Sequence, residues 1–157
     1  MDDGVALRAE TSRSAVRLST IYFLEMVRLV MPLTDGDLMA AVVLLAISEA
    51  NVRRLTGDPV VTARFEGLHD IPPDEFREPV SVFAIAKSLG LPYETARRHC
   101  NGLISKGFCT RQAGGLVVPA SVYAREDFKA ATAANWRQAQ VFAEQLLNLG
   151  SVCRGVG

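Results

Sequence analysis

The chain carries no excess of either charge, because 17 basic and 17 acidic side chains cancel over its 157 residues. That balance excludes a uniformly basic coat for nucleic acid or membrane and leaves only a local patch to attract an anion. Cysteine is scarce. The three thiols, Cys100, Cys109 and Cys153, form no C-x-x-C pair, and the two histidines, His69 and His99, stand at no metal-ligand spacing, so neither a disulfide framework nor a structural zinc is expected. Odd, widely spaced cysteines without a signal peptide point to a reducing cytoplasm. The apolar run 38–47 is too short to cross a bilayer, and Glu49 and Arg53-Arg54 follow at once, so no membrane segment is expected. Internal repeats, low-complexity tracts and heptad runs are missing. Catalytic signals are missing too: there are no paired carboxylates, no nucleophile with a base and no phosphate-cradling glycine loop. His69-Asp70 is a lone pair in a polar loop, so no enzyme and no cofactor are expected.

What remains is a globular chain, 49% hydrophobic, of a length that suits one compact domain with helical extensions. Its amino-terminal part, 12–55, reads as two helices. Ser12 or Ser14 could cap the first, which runs to about Met31 with Val16, Ile21, Leu24, Val27 and Val30 at helical intervals, and Pro32 breaks it. The second starts at Thr34 or Asp35 and covers about 37–55. Its middle, AAVVLLAI, is apolar nearly all round and must be buried on several sides. Residues 56–79 form a connector with Gly57-Asp58-Pro59 and Pro72-Pro73-Asp74 as turn signals, one short helix near 60–65, and a brief strand at Pro79-Val80. Residues 122–150 are a carboxy-terminal helical segment. Its helix, 133–149, has Trp136, Ala139, Val141, Phe142, Leu146 and Leu149 as its apolar stripe, with Gly150 at its end and 151–157 frayed. Residues 1–11 read as a loose terminus.

The informative stretch is 81–119. Ser81 caps a helix over 82–89, whose Val82, Ile85, Ala86 and Leu89 share one inward face. Gly90 ends it in a left-handed turn, Leu91 plugs the core, and Pro92 opens a second helix over 92–106. Glu94 lies in that helix's first turn, where the positive end of the helix dipole favours a carboxylate. Ala96, Cys100, Leu103 and Ile104 face inward, which makes Cys100 a small apolar filler, while Tyr93, Thr95, Arg97, Arg98 and Asn101 remain outside. Gly107 stops the helix. Two short strands, 108–112 and 116–118, joined by Ala113-Gly114-Gly115, then make a hairpin with Arg111 near its tip. Between Ser81 and Arg111 the cations are Lys87, Arg97, Arg98, Lys106 and Arg111, and Glu94 alone opposes them.

The run IAKSLGLPYETARRHCNGLISKGFC followed by a Gly-Gly hairpin resembles the core of bacterial winged helix-turn-helix transcriptional regulators, broadly of the MarR and IclR sort. Ala86 and Gly90 four apart, Thr95-Ala96 followed by Arg98, then Leu103 and Gly107 carry the likeness. His99 and Cys100 stand where those families carry larger aliphatic residues. The resemblance implies a mainly α-helical fold with a β-hairpin wing, and sequence-specific binding of double-stranded DNA with the second helix in the major groove. Tyr93, Thr95, Arg97, Arg98 and Asn101 would meet that groove, and Lys106 and Arg111 would contact phosphate. Such regulators commonly dimerise through flanking helices, so a homodimer through the amino- and carboxy-terminal helices is expected. A small-molecule effector between those helices, lined by Tyr22, Phe23, Trp136 or Phe142, is conceivable, although core packing explains the same residues. The alternative function is a winged-helix protein-interaction module that never meets DNA.

Overall fold

A helix that is apolar on nearly every side has to be surrounded, and α2, Leu38–Val52, is the element on which α4, α5 and the hairpin pack. The computed structural model describes residues 9–152. Their contacts separate into two compact units, one of residues 30–131 and one of residues 9–29 with 132–152. The elements are α1 (Ala9–Val30), α2, α3 (Pro59–Arg64), α4 (Val82–Leu89), α5 (Tyr93–Ser105), β1 (Thr110–Gln112), β2 (Gly115–Val117), α6 (Ala120–Tyr123) and α7 (Glu126–Val152), with 3-10 turns at Met31–Thr34, Leu55–Gly57 and Asp74–Phe76. This is a mainly α fold with a small β-hairpin wing. No single helix among the described residues is long and apolar enough to cross a membrane.

In the unit 30–131, α2 buries Ala40, Ala41, Val43, Leu44 and Ile47 against Ile85, Cys100, Leu103 and Leu116. It starts later than expected. Asp35 and Gly36 both take positive φ (55° and 84°), so the chain cannot enter a helix at Thr34 or Asp35. Asp37 is the cap, its carboxylate accepting the Ala40 N–H at 2.9 Å. The connector holds α3, capped by Asp58, and then Arg77, whose guanidinium is buried 4.5 Å over the Tyr123 ring and donates to the Pro72 carbonyl at 2.9 Å. Phe108 and Phe128 pack with ring centroids 6.0 Å apart, and Arg125 covers Phe108 from outside.

The hairpin is shorter than the sequence suggests, because Phe108 and Cys109 go into the core instead of extending β1. Its register pairs Thr110 with Val117, Arg111 with Leu116 and Gln112 with Gly115, which leaves Ala113-Gly114 as the tip. The expected strand at Pro79-Val80 is present as a bridge: the Val80 N–H donates to the Leu116 carbonyl at 3.0 Å, and the Val80 carbonyl accepts the Leu116 N–H at 2.8 Å. Gly115 is obligatory there. It has φ 154°, and a β-carbon on it would lie 2.2 Å from the Val80 carbonyl oxygen.

Asn51, near the end of α2, is buried and ties the unit together. Its side-chain amide donates to the carbonyls of Glu78 (2.6 Å) and Leu116 (3.0 Å), and its oxygen accepts the Val118 N–H at 2.9 Å. Three main-chain groups from two separate segments thereby find partners inside the core, where an unpaired one is costly.

In the unit of residues 9–29 and 132–152, Tyr22 stacks on Phe142 with centroids 4.9 Å apart and donates its hydroxyl to Asn135 Oδ1 at 3.1 Å. No described side chain of this unit is fully buried. Ser12 and Ser14 lie inside α1 rather than capping it, and residues 9–11 are helical; residues 1–8 fall outside the described ones. α7 begins seven residues before the expected 133, with Glu126 and Asp127 in its first turn opposite the helix dipole and Phe128 buried. It also passes through Gly150, which within a helix costs about 1 kcal/mol relative to Ala but is no stop unless a left-handed turn follows. Residues 153–157, Cys153 among them, lie outside the described residues.

Two substitutions test this construction. Asn51→Ala orphans the Glu78 carbonyl and the Val118 N–H, each at roughly 1–3 kcal/mol, so urea denaturation should show a loss of about 3 kcal/mol. Gly115→Ala should cost about 2 kcal/mol or more, from its backbone dihedral and the clash with Val80, whereas Gly114→Ala at the open tip should cost less.

Candidate nucleic-acid interface

α4 and α5 are placed by local chemistry. Ser81 Oγ accepts the Ala84 N–H at 3.1 Å, and Gly90, at φ 64°, closes α4 with its N–H directed to the carbonyls of Ala86 and Lys87. Pro92 takes an extended ψ of 139°, so it occupies the capping position and α5 begins at Tyr93, one residue later than expected. Ala96, Cys100 and Leu103 are buried on the inner face. Burial pushes both core thiols up, Cys109 to about 12 with Cys100 close by as a second cause, so neither is a thiolate near neutral pH.

The outer face of α5 carries the side chains that the sequence nominated for DNA contact. Tyr93, Arg97 and Arg98 are exposed, and Thr95 and Asn101 are half-buried. Glu94, Thr95, Arg97, Arg98 and Asn101 line one shallow open depression. Their side chains are not equivalent. Arg97 donates through Nε (2.9 Å) and Nη2 (2.8 Å) to a single carboxylate oxygen, Glu94 Oε2, and this contact raises the Arg97 pKa further above its ordinary value. Arg98, the next residue, has no hydrogen-bond or ionic partner among the described residues.

Arg111 is corrected in position. It lies in the middle of β1, not near the tip, and its Nη2 donates to Asn101 Oδ1 at 2.8 Å, so the wing arginine rests on α5. That contact uses one lone pair of Asn101 Oδ1 and none of its amide N–H groups. Lys106 sits at the far end of α5 and donates to Asp35 Oδ2 at 2.9 Å, fastening the helix to the turn before α2. His99, half-buried, has Nδ1 3.6 Å from Asp37 Oδ2 on the same side. The structure therefore gathers Tyr93, Thr95, Arg97, Arg98, Asn101 and Arg111, and sets Lys106 apart in an ion pair.

Two residues escaped the sequence reading. Phe83 is 67% exposed at the start of α4; its place off the stripe of Val82, Ile85, Ala86 and Leu89 was the available signal. Glu94 was read against the helix dipole and in the local charge count but not as a partner of Arg97, although its spacing of three already allowed an ion pair. Comparison of the chain with family models, with curated proteins and with solved structures gave no match, so the geometry of α5 and the wing bears the functional argument.

Proposed function

We propose that the chain is a sequence-specific, duplex-DNA-binding transcriptional regulator of the winged helix-turn-helix type, bacterial and cytoplasmic, that works as a homodimer. The observation that carries this is the outer face of α5, where two adjacent arginines and an asparagine stand on a helix whose opposite face is locked in the core. An exposed helix of this width fits the major groove, where arginine matches guanine and asparagine matches adenine. The hairpin sets Arg111 beside that helix, within reach of flanking phosphate. A chain of zero net charge meets DNA through this patch and not through its whole surface.

The homodimer uses α1 and α7. Phe23 (64% exposed), Trp136 (53%) and Leu147 (72%) stand outside their unit, and Val16, Ile21, Leu24 and Val141 are exposed as well. Side chains of this size on two long helices supply an apolar contact surface for the same helices of a second copy. Two-fold symmetry then sets two reading helices against half-sites about 34 Å apart.

Among the described residues Arg98 has no internal partner to lose. Arg98→Ala should weaken binding by a similar factor on every duplex and lower the slope of log K against log salt by about one. The double variant Arg97→Ala, Arg98→Ala, folded by circular dichroism, should lose gel retardation at low salt; unchanged binding would remove the assignment. A protein-docking module would show no retardation of random duplex even for the unaltered chain. For the dimer, sedimentation should give twice the 17.0 kDa of one chain, and Phe23→Glu with Trp136→Glu should give monomers that bind a two-half-site duplex more weakly.

A further inference from the structure

We infer that Glu94 is a positioning residue that determines base selectivity, by gripping Arg97 so that only one edge of its guanidinium is offered outward; this rests on the DNA-binding function proposed above. The guanidinium is a planar fork with five N–H donors. Glu94 Oε2 takes Nε and one proton of Nη2, which are the donors of one side of the fork. The donors left free are those of Nη1 and the second proton of Nη2, the end-on pair. That pair matches two acceptors side by side, as O6 and N7 of guanine present them in the major groove.

The two arginines thus divide the work. A free arginine swings on a long stem and satisfies any phosphate oxygen it meets, as Arg98 is placed to do. A clamped one has lost that freedom before binding and presents a fixed donor pair, which favours one base edge over others. Glu94 opposes unselective binding in a second way, since its carboxylate, 71% exposed, would face the phosphates of a duplex that docks out of register. An exposed ion pair of this kind contributes little to folding stability. Its removal therefore leaves a folded protein on which selectivity is measurable.

The test compares Glu94→Gln and Glu94→Ala in the full-length chain. Both remove the charge, but the glutamine keeps an acceptor oxygen for Arg97 and the alanine does not. The probe is a pool of duplexes randomised at their centre, sequenced after selection, together with titration of single-base variants of the preferred duplex. Glu94→Ala should bind random duplex more tightly than the unaltered chain, and should lose about tenfold in the preference for guanine at one position. Glu94→Gln should share the gain on random duplex but retain most of that preference. In parallel, nuclear magnetic resonance of the free proteins should show slow exchange of the Arg97 Nε–H in the unaltered chain and in Glu94→Gln, and fast exchange in Glu94→Ala. Equal base preferences in all three proteins, or equal loss in both variants, would overturn the clamp while leaving DNA binding in place. An unaltered chain that retards no duplex at low salt would instead overturn the DNA-binding function, and the role of Glu94 with it.

Discussion

The side chain of Asn51 makes three hydrogen bonds inside the core, to Glu78, Leu116 and Val118, and the placement of the wing depends on them. β2 has no long partner strand; it has three residues of β1 on one side and the single bridge of Val80 on the other. A two-stranded hairpin is marginal in water on its own. Asn51 supplies what the missing strand would have supplied, by pairing from the end of α2 with the Leu116 carbonyl of β2 and with the Val118 N–H just beyond it. The Leu116 carbonyl receives both the Val80 N–H and the Asn51 amide, so helix, bridge and strand meet at one atom. The glycine at 115 follows from the same constraint, because the Val80 backbone comes so close that no side chain fits between.

With β2 held, β1 is held in turn, and Arg111 is brought over α5 onto Asn101. Polar contacts of the outer face are consequently internal in the free chain: Glu94 with Arg97, Asn101 with Arg111, and Asp35 with Lys106 at the far end. Exposed pairs like these contribute little to folding stability, because water and salt screen them. Their effect lies in orientation, since each fixes the direction of a long side chain that water would otherwise leave free. Arg98 is the exception, an exposed cation with no such restraint among the described residues.

The helix-turn-helix was legible because its punctuation is local. Ser81, Gly90 and Gly107 act within a few residues of themselves, and the cap, the left-handed exit and the stop all stand where the sequence puts them. The buried positions Ile85, Ala86, Ala96, Cys100 and Leu103 followed from helical spacing alone. Asn51 was not legible in the same way. It shares a stripe with Leu44 and Ile47, yet nothing in the spacing says which distant carbonyls await a polar side chain there. Arg111 was misplaced for a similar reason: the tip of a hairpin depends on register, and here the glycine that the sequence puts in the turn is needed in the strand. Gly150 and the serines of α1 misled in the opposite direction, for a residue able to start or stop a helix does so only where the chain also turns.

The two units differ in how they are stabilised, and that difference bears on assembly. Residues 30–131 close around side chains with no exposure at all, Val43, Ile47 and Val118 among them. Residues 9–29 and 132–152 have none among the described side chains; their best-defined contact is the Tyr22–Phe142 stack with its one hydrogen bond to Asn135. Two helices side by side shield each other along a single stripe, and helices in water draw most of their stability from burying such stripes. Phe23 and Trp136 lie outside the stripe in use. A second pair of helices would convert these half-covered faces into a bundle core, with a knobs-into-holes contact on both helices of each copy. In the proposed homodimer, the apolar residues that a lone pair of helices leaves in water would form the contact between the two copies.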